Sequence, residues 1–235
     1  MTALLELRGV SRVLSSKAMP VTLVRDANAK ISPGEFVAIV GPSGCGKSSL
    51  LYLLGLLDRP TSGEVLIDGE ATRDLSSAAR GELRLARVGF VFQFHFLLAE
   101  FSALDNVAMP MRRLARLSER EIVQRAGDLL TGFGLGASLG KKPDQLSGGQ
   151  RQRIAVARAL ANEPDIILCD EPTGNLDSVN AATVIDALQN LAHVEQRAVV
   201  CVTHDPGIAA RADRRIGMRD GRIVPTEAVA GHLVG

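Results

Sequence analysis

The glycine-rich segment GPSGCGKS, at residues 41–48, has the residue types and spacing that bind a phosphate chain. It fits the pattern G-x-x-x-x-G-K-[ST], follows the apolar run EFVAIV, which predicts a strand, and leads into SSLLYLLGLL, which predicts a helix. Backbone N–H groups of such a loop and the helix N-terminus converge on phosphate oxygens. Lys47 is expected to reach the β- and γ-phosphates, and the Ser48 hydroxyl to bind Mg²⁺. The residues expected to contact the nucleotide here are Gly41, Pro42, Ser43, Gly44, Cys45, Gly46, Lys47, Ser48 and Ser49.

Two carboxylates end a second apolar run, IILCDE at residues 166–171. A buried strand there would deliver Asp170 to its carboxyl end, where ligands of α/β sheets bind and where a carboxylate can hold Mg²⁺. Glu171 follows directly and can polarise an attacking water molecule. The pair by itself also fits a solvated turn. Beside a phosphate-binding loop in the same chain, it predicts the hydrolytic half of the site.

Two further polar side chains end apolar runs. Gln93 follows FVF and can touch Mg²⁺ or water, although in isolation it also fits an edge-strand glutamine. His204 follows AVVCVT, so its imidazole can hydrogen-bond a γ-phosphate at the same edge of the sheet; a structural histidine is the alternative. The expected catalytic residues are Glu171, His204, Gln93 and Lys47, and the expected metal ligands are Ser48, Gln93 and Asp170.

The segment LSGGQRQR, at residues 146–153, is a second candidate anion-binding device. Ser147, Gly148 and Gly149 stand at a predicted helix start, where N–H groups and the helix dipole favour an anion. Gln150 and the arginines behind it are expected to be helix-start and surface groups, not catalysts.

Short apolar runs alternate with helical patterns, which predicts an α/β fold. Asp-Gly pairs at 68–69 and 220–221 predict hairpins, and therefore a small antiparallel sheet beside a parallel one. Residues 94–160 are mostly helical in pattern, and Ser118 with Glu121 predicts a capping box there. The apolar positions expected on one face of that helix are Ile122, Val123, Ala126, Leu129 and Leu130.

The composition is that of an ordinary soluble globular chain of 235 residues. A formal net charge of +1 and the absence of Trp give no support for nucleic-acid binding. The three cysteines lack metal-ligand or CxxC spacing, and two lie in apolar runs, which favours a reducing compartment. The longest apolar run, residues 50–57, is too short to span a bilayer. Any membrane connection is therefore expected to come through a partner.

Taken together, the motifs resemble the ATP-binding-cassette (ABC) ATPases over about residues 4–225. LSGGQ matches the family signature, residues 41–48 match its Walker A motif, and 166–170 match its Walker B motif. Glu171 stands in the position of the catalytic glutamate. Gln93 fits the Q-loop, His204 the switch histidine, and Asp177 belongs to GNLD, which fits the D-loop.

The fold that this resemblance implies is α/β, a P-loop NTPase of the ABC ATPase type with a mixed parallel core sheet, an antiparallel β subdomain and a helical insert. Residues 1–235 would form one domain, with the RecA-like core and β subdomain in 1–93 and 161–235 and the helical subdomain in 94–160. The family also implies a head-to-tail dimer that holds two ATP molecules, with Mg²⁺, between its protomers. The residues expected to face that nucleotide are Ser147, Gly148, Gly149, Gln150 and Asp177.

Residues 75–110 are more closely similar to the ATPase subunits of lipoprotein-releasing transporters, which share a clade with macrolide-exporter and FtsE-like cell-division ATPases. The clade docks the coupling helix of its membrane subunit just after the Q-loop, where this chain has an apolar row that also fits the core of the helical insert. The row comprises Phe92, Phe94, Phe96, Leu97, Leu98 and Phe101. Val13 and Leu14 stand where the family often stacks an aromatic ring on adenine. Phe96 and Ala99 stand where lipoprotein-releasing members more often have His and Pro.

The resemblance therefore implies an ATP hydrolase that powers a lipoprotein-releasing type of transporter. It would lie on the inner face of the cell membrane, with integral permease subunits docking near residues 94–101 and no nucleic acid partner. Macrolide or peptide export and FtsE-like mechanical signalling in cell division stay open, because the same ATP chemistry serves all three. ABC-type ATPases of DNA repair or translation carry long coiled coils or two cassettes per chain, and neither fits here.

Overall fold

The computed structural model describes residues 3–15 and 19–232. The strands are β1 (Leu5–Leu14), β2 (Val21–Ile31), β3 (Phe36–Val40), β4 (Ser62–Ile67), β5 (Glu70–Ala71), β6 (Val88–Phe92), β7 (Ile166–Asp170), β8 (Ala198–Val202), β9 (Arg214–Arg219) and β10 (Arg222–Val224). The helices are α1 (Lys47–Leu54), α2 (Ser77–Arg87), α3 (Ala103–Leu114), α4 (Glu119–Gly132), α5 (Gly148–Ala159), α6 (Ser178–His193) and α7 (Pro206–Arg211). The chain forms two compact units: Met1–Gly81 with Leu188–Gly235, and Glu82–Ala187.

The first unit contains an antiparallel sheet of four strands in the order β2-β1-β4-β5. Asp68 and Gly69 connect β4 to β5 with φ values of 54° and 79°, as a two-residue type I′ hairpin requires. Asp220 and Gly221 make the same kind of turn between β9 and β10, with φ values of 49° and 77°. Both predicted hairpins are therefore confirmed.

A mixed sheet in the same unit positions the phosphate-binding loop. β3 pairs in parallel with β8 on one side and β9 on the other, and β10 adds an antiparallel strand to β9. Every residue of β3 and β8 is buried, which is typical of parallel strands covered on both faces. Cys201 lies buried in β8, in line with its apolar surroundings in the sequence.

The second unit combines the parallel pair β6 and β7 with the helices α3, α4 and α5, which pack around one hydrophobic cluster. The capping box of α4 is confirmed, with Ser118 and Glu121 satisfying each other's backbone N–H groups. Ile122, Ala126 and Leu130 are buried in the cluster, and Leu129 packs partly against it. Val123 is 39% exposed, so its predicted place on that face is wrong. Val123 lies seven residues before the buried Leu130 and so at nearly the same angle around the helix, at the edge of the face; the cluster covers that edge at Leu130 but not at Val123.

The end of α1 differs from the sequence prediction, and the predicted subdomain boundaries stay untested. α1 ends at Leu54, with Gly55 as its C-cap, whereas the apolar pattern ran on to residue 57. Leu56 has a φ of 57°, so the chain has left the helix there. The division into 1–93, 94–160 and 161–235 stays a prediction, and its two ends lie outside the described residues. No helix in the described part is long and apolar enough to cross a bilayer.

Candidate functional site

The phosphate-binding loop leads from the buried end of β3 into α1, and two of its glycines are pressed against neighbouring backbone. Gly41 and Gly46 have φ values of 152° and 104°. A Cβ atom on Gly41 would lie closer than 3.0 Å to the carbonyl oxygen of Met218, and one on Gly46 equally close to that of Leu23. The loop therefore needs glycine twice over, for its backbone conformation and for its close approach to β9 and β2.

We expect Gly46→Ala to lower the midpoint of thermal unfolding and to weaken nucleotide binding, because a methyl group would collide with the Leu23 carbonyl. Gly44→Ala is the matched control: Gly44 has a φ of 74°, but no described atom lies within 4 Å of its Cβ position. The control should lose about 2–4 °C through backbone strain alone, and Gly46→Ala at least twice that. Equal midpoints for the two variants in a thermal scan would contradict the packing argument.

The side chain of Lys47 folds back into the phosphate-binding loop. Its Nζ donates hydrogen bonds of 2.8 Å to the carbonyl oxygens of Gly41 and Pro42. The first turn of α1 carries no acidic residue, so no side-chain carboxylate offsets the positive end of the helix dipole. The ammonium group and the helix start together make a site for an anion.

His204 reaches the same edge of the first unit's mixed sheet as the phosphate-binding loop. Ile39 of β3 is in register with Val202 of β8, and Gly41 and His204 each follow two residues later. The His204 side chain is exposed. The structure thus brings the loop and His204 to one sheet edge, as the two apolar runs predicted.

In the second unit, β6 and β7 bring Gln93, Asp170 and Glu171 to one edge. Phe92 pairs with Asp170, so Gln93 and Glu171 both follow directly after the same rung of the ladder. Glu171 has a φ of 48°, a left-handed conformation that costs an L-residue about 1–2 kcal/mol and is often found at functional sites. The amide of Asn175 donates to the backbone carbonyl of Gln93 at 3.1 Å, which ties the segment after Glu171 to the Q-loop.

The signature segment opens α5 with a capping box. Ser147 Oγ accepts from the Gln150 N–H at 3.2 Å, and Gln150 Oε1 accepts from the Ser147 N–H at 2.9 Å. The helix-start role expected for Gln150 is therefore present, and its contact with nucleotide stays a prediction. Because Ser147 Oγ is the acceptor in this bond, its hydroxyl proton can still be donated to an anion.

The side chains that follow the signature form hydrogen bonds within the second unit. The arginines there were expected to be surface groups, and that expectation is wrong. Arg151 and Arg153 are half-buried, since each donates hydrogen bonds to oxygens of that unit. Gln152 is buried and was missed by sequence reasoning, because an amide among arginines gives no periodic apolar signal. Its Nε2 donates at 2.7 Å to the carbonyl of Pro172, the residue directly after Glu171.

Asp177 is exposed and caps the start of α6. Its carboxylate accepts from the backbone N–H of Asn180 at 2.9 Å and from the Asn180 side-chain amide at 2.7 Å. These bonds, the backbone one first, hold the pKa of Asp177 below its ordinary value. Asp177 is therefore an anion at neutral pH.

The apolar row after the Q-loop divides between surface and core. Leu97 packs against the helical cluster, and Phe92 is half-buried. The exposed members, here called the Phe surface, are Phe94 and Phe96 at 64% and Leu98 and Phe101 at about 40%. Asn106, buried in α3 and missed by sequence reasoning, donates to the carbonyls of Leu98 and Phe101 and accepts from the Leu98 N–H, so it fixes the segment that carries this surface.

The position that often stacks adenine in the family is aliphatic here. Leu14 is paired with Val21 across the β1–β2 hairpin, and the two side chains are 41% and 52% exposed. Val13 beside them is half-buried. Among the described residues, the facing ends of β1 and β2 therefore offer aliphatic side chains at this position.

The candidate metal ligands are all oxygen donors: the hydroxyl of Ser48, the amide of Gln93 and the carboxylate of Asp170. No group of three or more His, Cys, Asp or Glu suited to a metal occurs among the described residues. This donor set fits Mg²⁺, which prefers hard oxygen ligands and commonly takes most of them from phosphate and water. It does not fit a transition metal held by nitrogen or sulfur.

Comparisons with known proteins agree with this geometry. The family model for the ABC transporter matches residues 24–174. The chain is 47% identical to the lipoprotein-releasing system ATP-binding protein LolD 2 of Caulobacter vibrioides, covering 93% of this chain and 96% of that protein. It is 47% identical to LolD of Bordetella avium, covering 95% and 96%. The dimeric bacterial ABC transporter cassette MJ0796 superposes with a TM-score of 0.88 at 40% identity, covering 94% of this chain and 97% of that one. The chain belongs to the ABC transporter family.

Proposed function

We propose that this chain binds and hydrolyses ATP to power an ABC transporter of the lipoprotein-releasing type. The observation that carries the ATPase activity is the phosphate-binding loop, whose carbonyls accept from Lys47 and whose conformation depends on two glycines that leave no room for a side chain. The transporter type is supported by 45–48% identity to lipoprotein-releasing ATP-binding proteins over most of the chain.

In this proposal each residue has a distinct part. Lys47 holds the β- and γ-phosphates, and His204 hydrogen-bonds the γ-phosphate. Glu171 orients and polarises the attacking water, helped by a left-handed backbone that fixes its direction after β7. Ser48, Gln93 and Asp170 would hold Mg²⁺, which neutralises developing phosphate charge when bound.

The signature segment serves a second copy of this chain. A cassette 40% identical to this chain has been solved as a dimer in a post-hydrolysis state with ADP and phosphate, which supports the same assembly here. Ser147 can donate its hydroxyl proton, and Gly148, whose Cβ position faces open space, leaves the N-terminus of α5 accessible to an anion, with Gly149 next to it in the first turn. ATP held by one protomer would then be completed by the signature of the other. Asp177 and Gln150 would complete the contacts around that nucleotide.

The Phe surface is the proposed docking place for integral permease subunits, which would place the chain on the inner face of the cell membrane. Four large apolar side chains exposed within eight residues are unusual on a surface that stays in water. Asn106 holds this segment in one conformation, which lowers the entropic cost of docking.

The proposal is tested by expressing the chain with the integral subunits of a lipoprotein-releasing transporter and measuring ATPase activity and lipoprotein release from membranes. We expect Phe94→Ser with Phe96→Ser to abolish co-purification with those subunits while the isolated chain keeps its ATPase activity. Val123→Ser is the matched control, because Val123 is also an exposed apolar residue of the second unit. ATPase activity that never responds to any integral partner would count against the transporter role.

A further inference from the structure

Gly149 is the second glycine of the signature. A neighbouring side chain, and not the backbone conformation of Gly149 itself, makes glycine necessary there. It lies in the first turn of α5 and is buried. A Cβ atom there would come closer than 3.0 Å to the Oδ1, Cγ and Nδ2 atoms of Asn180. By contrast, no described atom lies within 4 Å of a Cβ on Gly148. The amide of Asn180 therefore lies flat against the signature at one specific glycine.

The same amide is hydrogen-bonded to charged groups on both sides. Asn180 Nδ2 donates to Asp177 Oδ2 at 2.7 Å, and Asn180 Oδ1 accepts from Arg153 Nη1 at 3.0 Å. Arg153 lies one turn beyond Gly149 on the same face of α5. Asn180 thus joins the aspartate of the D-loop to the signature helix through three contacts within the second unit.

A carboxamide meets both requirements of this position, because it carries a donor and an acceptor. Asp177 is a carboxylate that needs a donor, and Arg153 is a guanidinium that needs an acceptor. The Nε of Arg153 is buried and has no hydrogen-bond partner in the described part of the chain. The bond from Nη1 of the same guanidinium to Asn180 therefore matters all the more. An aspartate at 180 would repel Asp177, and an alanine would leave both charged groups without this bridge.

We propose that Asn180 is a positioning residue that holds Asp177 and the signature glycines as one rigid surface, so that both are presented together to the ATP bound by a second copy of this chain. The inference rests on the proposed ATP-driven dimer. Asn180 acts through the residues that it holds and does not touch the nucleotide of its own protomer. Its loss should therefore affect dimer formation and turnover while leaving ATP binding to the single chain unchanged.

The test compares Asn180→Ala and Asn180→Asp with Asn190→Ala, which removes an exposed amide from the same helix. Each variant is also combined with Glu171→Gln, so that dimers at saturating Mg-ATP can be measured by sedimentation. We expect both Asn180 variants to bind ATP with the wild-type dissociation constant but to dimerise at least about tenfold more weakly and to lose kcat in proportion. Asn190→Ala should match wild type in all three measurements.

A double-mutant cycle tests the close packing of Asn180 against Gly149. Gly149→Ala should lower the midpoint of thermal unfolding less in an Asn180→Ala background than in the wild type, because the colliding amide is gone. If Asn180→Ala dimerises and turns over like wild type, or if Gly149→Ala lowers the midpoint equally in both backgrounds, the inference is overturned. Failure of the proposed dimer itself looks different, because Glu171→Gln alone would then stay monomeric with Mg-ATP.

Discussion

The Glu171→Gln variant is expected to lose at least about 10²-fold in ATP turnover and to accumulate as an ATP-bound dimer. Glutamine keeps the size of the side chain and can follow the same left-handed backbone at the end of β7, but it cannot polarise the attacking water. The phosphate contacts of Lys47 and of the partner's signature survive in this variant. The ATP-bound dimer therefore stays closed, because hydrolysis no longer opens it.

The measurement is a phosphate-release assay paired with size-exclusion chromatography in saturating Mg-ATP. Wild-type chain under the same conditions is the control and should populate the dimer less, because it hydrolyses its ATP. A Glu171→Gln chain that elutes as a monomer with bound ATP would remove the support for a nucleotide sandwich.

Mixing two inactive variants should restore activity if the site is shared between copies. Lys47→Ala removes the ammonium group that lies in the phosphate-binding loop, so this variant should bind ATP weakly. Gly148→Ala places a methyl group in open space at the start of α5, so it should fold and bind ATP normally but fail to receive the partner's phosphate. Each variant by itself should be inactive.

A mixed dimer of these two variants contains one site with both defects and one site that is intact. Random exchange makes half of the dimers mixed, so an equimolar mixture should recover about a quarter of wild-type activity. As a control, each single variant is mixed with the inactive double variant that carries both Lys47→Ala and Gly148→Ala. These mixtures should recover no ATPase activity. A mixture no more active than its components would show that each chain completes its own site. Gly148 is the better probe than Gly149, whose substitution also disturbs Asn180.

Much of the candidate site could be located from local patterns. The phosphate-binding loop, the two carboxylates after β7, the capping box of α4 and the helix start at Gln150 are short segments whose chemistry depends on neighbours within a few residues. The I′ hairpins at 68–69 and 220–221 are equally local, because an Asp-Gly pair determines the turn by its own backbone preference. These are the places where the structure agrees with the sequence interpretation.

The errors and omissions share a different cause. Val123 is apolar and close to the helical period, yet exposed, because the faces that α4 buries are set by where α3 and α5 lie. Arg151 and Arg153 look like solvent-facing charges, but Arg151 donates to the backbone carbonyl of Leu146 in the preceding loop and Arg153 donates to the Asn180 amide in another helix. Sequence periodicity carries no information about such partners.

The chain's own residue pattern was enough to predict the nucleotide chemistry and the ABC family, because those depend on motifs with fixed local spacing, and the family resemblance in turn implied a second copy. Tertiary packing alone decided which residues hold those motifs in place. Asn106 fixes the Phe surface, Gln152 reaches the residue after Glu171, and Asn180 joins Asp177 to Gly149. Each is a polar amide with a partner in a different segment: Gln152 bonds Pro172, Asn180 accepts from Arg153, and Asn106 bonds the loop before its helix. Such an amide acquires a role only when folding brings a donor and an acceptor to it. Local sequence preferences therefore do not predict its hydrogen-bond partners.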